Sequence, residues 1–290
     1  MKLLVTTDGS ERSRCILPHA ARLARAYDAE TVLVRVLDPR SDAAGVVAPS
    51  LGEAVESVRA RWEAELREWL AGAGLAGEAR VIERHWGEDV PSAIHRAADD
   101  AGAALVAIAS RGAGALRHAI LGSVALDVLA RADLPVMTLG GCLPAPGREG
   151  AYHLLVTTDG SPASRSVVAG LAPLLVPARL RVTLLEVAVL RVQETEPQAK
   201  ARVLPGLQAL RAELPGWLEV DYRVPVVPPG AGIDTAIIEA AAEVGADAVA
   251  MATHGYSARR HLVAGSTALG VVRLAPVPVI LVRSAIHAQE

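Results

Sequence analysis

No apolar block in this chain approaches the length of about eighteen residues that a membrane-crossing helix needs. Yet 51% of its 290 residues are hydrophobic. The surplus is Ala, Val and Leu spread through short runs, the pattern of a soluble protein with no membrane partner. Cysteine is nearly missing. Cys15 and Cys142 fall at non-equivalent places in an internal repeat, so no disulfide is expected, both thiols read as small apolar residues, and a reduced compartment fits. Met1-Lys2-Leu3-Leu4-Val5 lacks the long apolar stretch and cleavage site of a secretory signal, which makes a cytoplasmic location the expectation. A dominant charge is missing too: 29 Lys and Arg face 32 Asp and Glu, for a net −3. That balance argues against a polyanion-binding surface, so nucleic acid is not an expected partner. The eight histidines are scattered and no Cys/His cluster has ligand spacing, so no metal site is expected; His85, His95 and His153 read as ordinary, partly exposed residues. There is no Gly-x-x-x-x-Gly-Lys-Ser/Thr loop and no Gly-x-Gly-x-x-Gly turn after the first strand, which removes the P-loop and dinucleotide-dehydrogenase patterns.

What is present is one module written twice. Leu3-Leu4-Val5-Thr6-Thr7-Asp8-Gly9-Ser10 returns letter for letter at Leu154 to Ser161. Each copy closes on a related segment, Ser110-Arg111-Gly112 to Gly122-Ser123 and Thr253-His254-Gly255 to Gly265-Ser266. Asp8 and Asp159 are 151 apart (159 − 8) and Gly122 and Gly265 are 143 apart (265 − 122), so the second copy is shorter; a surface loop is the expected place of the loss.

Short Val/Leu/Ile/Ala runs alternate with segments of helical period, which predicts two tandem doubly wound α/β modules, each a mostly parallel five-stranded sheet with helices on both faces. Strands are expected near residues 2–7, 31–37, 79–83, 104–109 and 136–139, and again near 153–158, 181–187, 219–224, 248–252 and 279–282. Across residues 53–70, Val55, Val58, Trp62, Leu66 and Trp69 form one apolar stripe, so the tryptophans are read as core. The Gly/Pro-dense stretch from Gly140 to Gly150 separates a first domain, 1–140, from a second, 152–290, with 141–151 as linker.

Thr-Thr-Asp-Gly-Ser ends a strand and opens a helix. Ser161-Pro162 is an N-cap followed by proline, and Ser10 can cap the matching helix. Asp8 and Asp159 therefore stand at the carboxyl ends of first strands, where open α/β sheets bind ligands. Each could accept hydrogen bonds from a ligand, or could simply shape the Asp-Gly turn. Neither has an obvious basic partner in the sequence. Further on, Gly112, nine residues, then Gly122-Ser123-Val124 is matched by Gly255, nine residues, then Gly265-Ser266-Thr267. A Gly-Ser at a helix start offers backbone N–H groups and the positive end of the helix dipole to phosphate; alternatively Ser123 and Ser266 are ordinary caps. Arg117, His118, Arg259, Arg260 and His261, between the glycines, face either phosphate or solvent.

Taken together these residues resemble the universal stress protein family, as a tandem pair covering nearly the whole chain. The family pattern is Gly, two residues, Gly, nine residues, Gly, then Ser or Thr; here it reads Ala109-Ser110-Arg111-Gly112 to Gly122-Ser123 and Ala252-Thr253-His254-Gly255 to Gly265-Ser266, with alanine for the leading glycine both times. The resemblance implies an adenine-nucleotide alpha-hydrolase-like fold and ATP binding by both halves, with ADP or AMP as alternatives and Mg²⁺ as a candidate companion. It puts phosphates near Gly112, Gly122, Ser123 and Val124, and near Gly255, Gly265, Ser266 and Thr267. Asp8 and Asp159 match the adenosine-side aspartate, Val36 and Val187 the residue that meets adenine through its backbone, and Thr6 and Thr157 a position often small or proline. It also implies that the last strands, Leu134 to Leu139 and Val277 to Val282, pair within the chain and make it its own dimer; a homodimer of the whole chain stays open. The expected function is regulatory, stress-type nucleotide binding. The alternatives are slow ATP hydrolysis or a nucleotide-free scaffold, and no dedicated catalytic constellation is visible.

Overall fold

The computed structural model describes residues 1–109, 121–145, 147, 149–253 and 264–284. In the first half, β1 (Lys2–Thr7), β2 (Glu30–Leu37), β3 (Gly77–Glu83), β4 (Leu105–Ala109) and β5 (Val136–Leu139) alternate with α1 (Glu11–Arg14), α2 (Leu17–Tyr27), α3 (Leu51–Gly72), α4 (Val90–Ala101) and α5 (Ser123–Arg131). The second half runs β6 (Tyr152–Thr158), α6 (Pro162–Gly170), β7 (Leu180–Glu186), β8 (Ala188–Val189), α7 (Glu196–Ala212), β9 (Glu219–Arg223), β10 (Val226–Val227), α8 (Ile233–Val244), β11 (Ala248–Ala252), α9 (Ser266–Leu274) and β12 (Val279–Val282).

Ten strands form one sheet in the order β3-β2-β1-β4-β5-β12-β11-β6-β7-β9, every pairing parallel except β5 with β12. Central strands such as β1 and β11 are buried on both faces, which is why they read as continuous apolar runs rather than alternating ones. Leu3, Val5 and Leu33 point to the face covered by α2 and α3; Leu4, Val32 and Val34 point to the face covered by α4 and α5. Each of these two cores continues into the second half, under α6 and α7 on one side and α8 and α9 on the other.

The seam between halves is the antiparallel pair Leu281↔Val136, Ile280↔Met137 and Val279↔Thr138, as the resemblance implied. Two parallel-sheet edges that would otherwise lie open are thereby closed. Gly140 sits so close to α9 that a Cβ there would run into the Val272 carbonyl. Arg22 of α2 reaches across to Asp247 with Nη2–Oδ2 at 2.9 Å, inside a fully buried setting.

Three expectations need correction, and one element was not expected. Cys15 and Cys142 form a disulfide, with Cα atoms 5.2 Å apart across 127 residues of chain. Their positions do not repeat because the bond ties the linker to the end of α1, not one module to its copy, and the argument from free thiols to a reduced compartment falls with it. His153 is buried, its Nδ1–H donating to the Val244 carbonyl at 3.1 Å and its Nε2 bonded to Thr183 Oγ1 at 2.7 Å. The missing residues are not lost from a loop alone. Leu3 and Leu154, on matched strands, are 151 apart (154 − 3), but their partners two strands out, Gly77 and Val220, are 143 apart (220 − 77). The loss therefore lies in the crossover from second to third strand, where α3 has 22 residues and α7 has 17. Finally, that shorter crossover carries β8, which pairs with β10 in a small separate sheet with no forerunner in the sequence reading.

Candidate functional site

Within each half the strand order is 3-2-1-4-5, so the first strand sits between connections that leave toward opposite faces, opening a crevice at the strands' carboxyl ends. A cavity occupies that crevice in both halves. The first, about 410 Å³, is lined by Thr6, Asp8, Val36, Ala109, Gly122, Ser123 and Val124 among others. The second, about 550 Å³, is lined by Thr157, Asp159, Val187, Ala252, Gly265 and Thr267 among others. Both are within the range of small-ligand sites. Ser266 is exposed at the start of α9, outside the cavity wall that its counterpart Ser123 helps to form. Arg111, Gly112, His254 and Gly255, and the basic residues between the glycines, lie outside the described residues.

The Asp-Gly-Ser turns are built alike. Gly9 and Gly160 hold φ of +82° and +77°, which glycine alone adopts without strain. Ser10 donates to Asp8 Oδ1 from its N–H at 3.0 Å and its hydroxyl at 2.6 Å, and Ser161 repeats both distances on Asp159 Oδ1. Ser10 and Ser161 also cap α1 and α6, accepting from the Ser13 and Ser164 amides. The aspartates therefore shape their turns through Oδ1 and in addition face their cavities. Thr7 and Thr158 anchor the turns from behind, each accepting the following glycine's N–H at 3.0 Å.

At the other end of each cavity a nine-residue helix begins, α5 in one half and α9 in the other. The caps are Gly122 and Gly265, not the serines, and neither supplies a side-chain hydrogen bond to the first turn. The first-turn amides are thus spared intrahelical partners and side-chain caps, an arrangement suited to an anion. Between the two ends, apolar side chains make the walls: Val34, Ile94 and Ile108 in the first cavity, Leu185, Ile237 and Met251 in the second.

Sequence reasoning missed the residue preceding Val36 and Val187. Arg35 pairs in register with Thr7 and lines the first cavity beside Asp8, giving that aspartate the basic neighbour the sequence did not reveal. Its guanidinium lies 3.4 Å from the Trp62 ring centroid and 3.6 Å from Glu65 Oε2. Burial lowers its pKa, against the pull of the Glu65, Asp42 and Asp8 carboxylates. Glu186 holds the matching register position opposite Thr158. Burial, then the Asp159 charge, pushes its carboxyl above the ordinary range, while Arg202 and Arg165 pull the other way. The only signal for these residues was their place one before the strand-end valines. Trp62 is core, as expected, yet its ring also floors the first cavity.

The profile of the universal stress protein family matches residues 1–139 and 152–283. The chain belongs to that family. Among solved structures it is similar to a universal stress protein from Archaeoglobus fulgidus DSM 4304, at 19% identity and TM-score 0.65, covering 97% of this chain and 98% of that one. A putative universal stress protein from Pseudomonas aeruginosa UCBPP-PA14 follows at 16% identity and TM-score 0.56, with 98% and 93% covered. A universal stress protein in complex with cAMP aligns with 48% of this chain and 96% of its own, at 24% identity and TM-score 0.37. No curated protein sequence matches. The fold is that of two tandem universal stress modules with a mostly parallel sheet. No described helix is long and apolar enough to cross a membrane.

Proposed function

We propose that this universal stress protein binds one adenine nucleotide in each half, ATP or its lower phosphates ADP and AMP, and serves a regulatory, stress-response role. The observation that carries this reading is the placement, twice, of an aspartate, an apolar slot and a glycine-capped helix start around one cavity of suitable size. Each part fits one part of the ligand. Asp8 and Asp159 would accept hydrogen bonds from ribose hydroxyls, as carboxylates only accept at neutral pH. The valine, isoleucine and methionine walls would cover the base, with the Val36 and Val187 backbones against its edge and Thr6 and Thr157 beneath. Amides at Ser123 and Val124, and at Ser266 and Thr267, would donate to phosphate oxygens, helped by the α5 and α9 dipoles. Ala109 and Ala252 line the cavities without closing them. We extend the phosphate cradle to Arg111, Gly112, His254 and Gly255 as part of the same proposal.

Among the described residues no group of three or more His, Cys, Asp or Glu could hold a metal, so Mg²⁺ would arrive on the phosphates. The domain limits 1–140 and 152–290 and a cytoplasmic setting belong to this proposal; the paired cysteines lend the latter no support. A homodimer of the whole chain would need another surface, since β5 and β12 already satisfy each other.

Calorimetric titration with ATP, ADP and AMP, with and without Mg²⁺, tests the reading. Two sites per chain are expected. Gly122→Asp and Gly265→Asp should each remove one by bringing bulk and negative charge to the helix start. Absence of binding by any of the three leaves a nucleotide-free scaffold, and turnover of bound ATP would add slow hydrolysis.

A further inference from the structure

The two Asp-Gly-Ser turns share their sequence, yet the helices that follow them differ. In the second half α6 runs unbroken for nine residues, with Ser166 Oγ donating to the Ala163 carbonyl at 2.6 Å inside it. In the first half α1 stops after four residues, because Pro18 has no N–H to give the Arg14 carbonyl. A single helical turn holds itself poorly. It ends on Cys15, which occupies the place of Ser166 at the offset of the repeat (166 − 15 = 151) and is bonded to Cys142.

The disulfide is one link of a longer clasp. Cys15, His19 and Arg22 follow one another at steps of four and three, and Cys15 and Ile16 keep right-handed helical angles between α1 and α2, so the three share one face. All three reach the segment that joins the halves: Cys15 bonds Cys142, His19 Nε2–H donates to the Leu143 carbonyl at 3.0 Å, and Arg22 Nη2 donates to the Ala151 carbonyl at 2.8 Å. Two residues before Cys142, Gly140 lies tight against α9, so this end of the linker is a fixed post. From Cys15 the restraint passes inward over a few residues. The Ser13 and Thr7 hydroxyls are bonded at 2.6 Å, and Ser10, the α1 cap, donates its own hydroxyl to Asp8 Oδ1. Arg14, over the Trp69 ring at 5.0 Å, is a further hold on α1. His19 and Arg22 are buried, whereas Cys15 is half-buried and Cys142 exposed. The link that a reagent in solvent can reach is thus the one next to the aspartate turn.

We propose that Cys15–Cys142 is a reversible redox switch of the first half alone: oxidised, it holds α1 and the Asp8 turn in place; reduced, it releases them and weakens nucleotide binding there. The change in affinity rests on the nucleotide reading above. The co-reactant is a dithiol. One of its thiolates attacks Cys142 Sγ, the sulfur within reach, and Cys15 leaves as a thiolate that takes up a proton; the second thiolate then closes the dithiol's own disulfide and releases Cys142, which is protonated in turn. Two electrons pass to the chain, and the dithiol leaves oxidised. An oxidised reagent of the same class reverses the exchange.

Hydrogen exchange on the full native chain, oxidised and then treated with dithiothreitol, compares residues 9–16 with residues 160–167, a matched pair within one molecule. Protection should fall about fivefold or more in the first segment and stay unchanged in the second. The chain is also titrated with ADP in both redox states, Gly265→Asp leaving the first site and Gly122→Asp the second. Reduction should weaken the first site about fivefold, the result when about one chain in five keeps the turn ordered, and should leave the second within about twofold. Cys15→Ser with Cys142→Ser should match the reduced chain and ignore dithiothreitol; where that variant does not fold, the unsubstituted chain before and after reduction supplies the comparison. A bond that resists dithiothreitol in the native chain, protection unmoved at 9–16, or equal losses in both segments overturns the inference. So does a first-site affinity for ADP that is the same in both redox states. Failure of ADP to bind the oxidised chain overturns the nucleotide reading and the affinity change with it, while the exchange comparison still decides whether the bond governs the turn.

Discussion

Asp247→Ala strips a buried guanidinium of its counter-ion. Arg22 and Asp247 are 4% and 1% exposed, and their 2.9 Å contact joins a helix of the first half to the segment that opens β11 in the second. Asp247 Oδ2 also accepts the His153 N–H at 2.8 Å, while Arg22 donates to the Ala151 carbonyl at 2.8 Å and lies over the Tyr152 ring. Among the described residues neither Arg22 Nε nor Asp247 Oδ1 has a hydrogen-bond partner, so the cluster is not fully compensated within them even intact. Deleting the carboxylate leaves a charge out of water together with an orphaned amide, a loss of about 3–5 kcal/mol for a buried pair broken on one side. Replacing both partners, as Arg22→Met with Asp247→Leu, removes the uncompensated charge and should recover most of that loss. Urea unfolding followed by circular dichroism and tryptophan fluorescence gives both numbers. A single variant within about 1 kcal/mol of the parent, or a double variant as damaged as the single, would refute the reasoning.

Glu186 has a raised pKa in the folded chain, so its contribution to stability is full below its ordinary value of 4.5 and is lost as pH rises through the raised one. Glu186→Gln should therefore melt higher than the parent at pH ~7, with the gap closing toward pH ~4; a gap that persists at the lower pH contradicts this. His153 runs the other way, because burial lowers its pKa below 6.5 and the folded state needs it neutral to accept from Thr183. Its stabilisation is present above 6.5 and lost on acidification through the depressed value, so melting temperature should fall from pH ~7 to ~5 less steeply in His153→Gln than in the parent. The Cys15–Cys142 bond closes a loop of 127 residues. On chain-entropy grounds its reduction, or Cys142→Ser, should cost up to about 5 kcal/mol in urea, and identical unfolding curves with and without dithiothreitol would argue that the bond is not formed.

The architecture was legible because it repeats and because each element advertises itself locally. Parallel strands buried on both faces appear as runs of Val, Leu and Ala, and the stripe from Val55 to Trp69 has the period of one helix face. Ser10, Ser161 and the glycines at Gly9, Gly160, Gly122 and Gly265 are tied to backbone geometry within a few residues, so their roles at turns and helix starts followed from neighbours in the chain. What could not be read depends on residues brought together from afar. Arg35 and Glu186 became cavity residues only through strand register and the helix packed above them, and Cys15 met Cys142 only because the linker folds back along the first module. Arg22 and Asp247 are 225 positions apart.

By itself, then, the order of residues determined the two α/β modules, their shared crevices and the turn and cap at each end of those crevices, since these rest on contacts spanning a few residues. Tertiary structure alone decided the charge beside each aspartate, the disulfide and the buried bridge between halves. Those depend on which distant side chains are pressed together away from water, and the local sequence around each carries no trace of its partner.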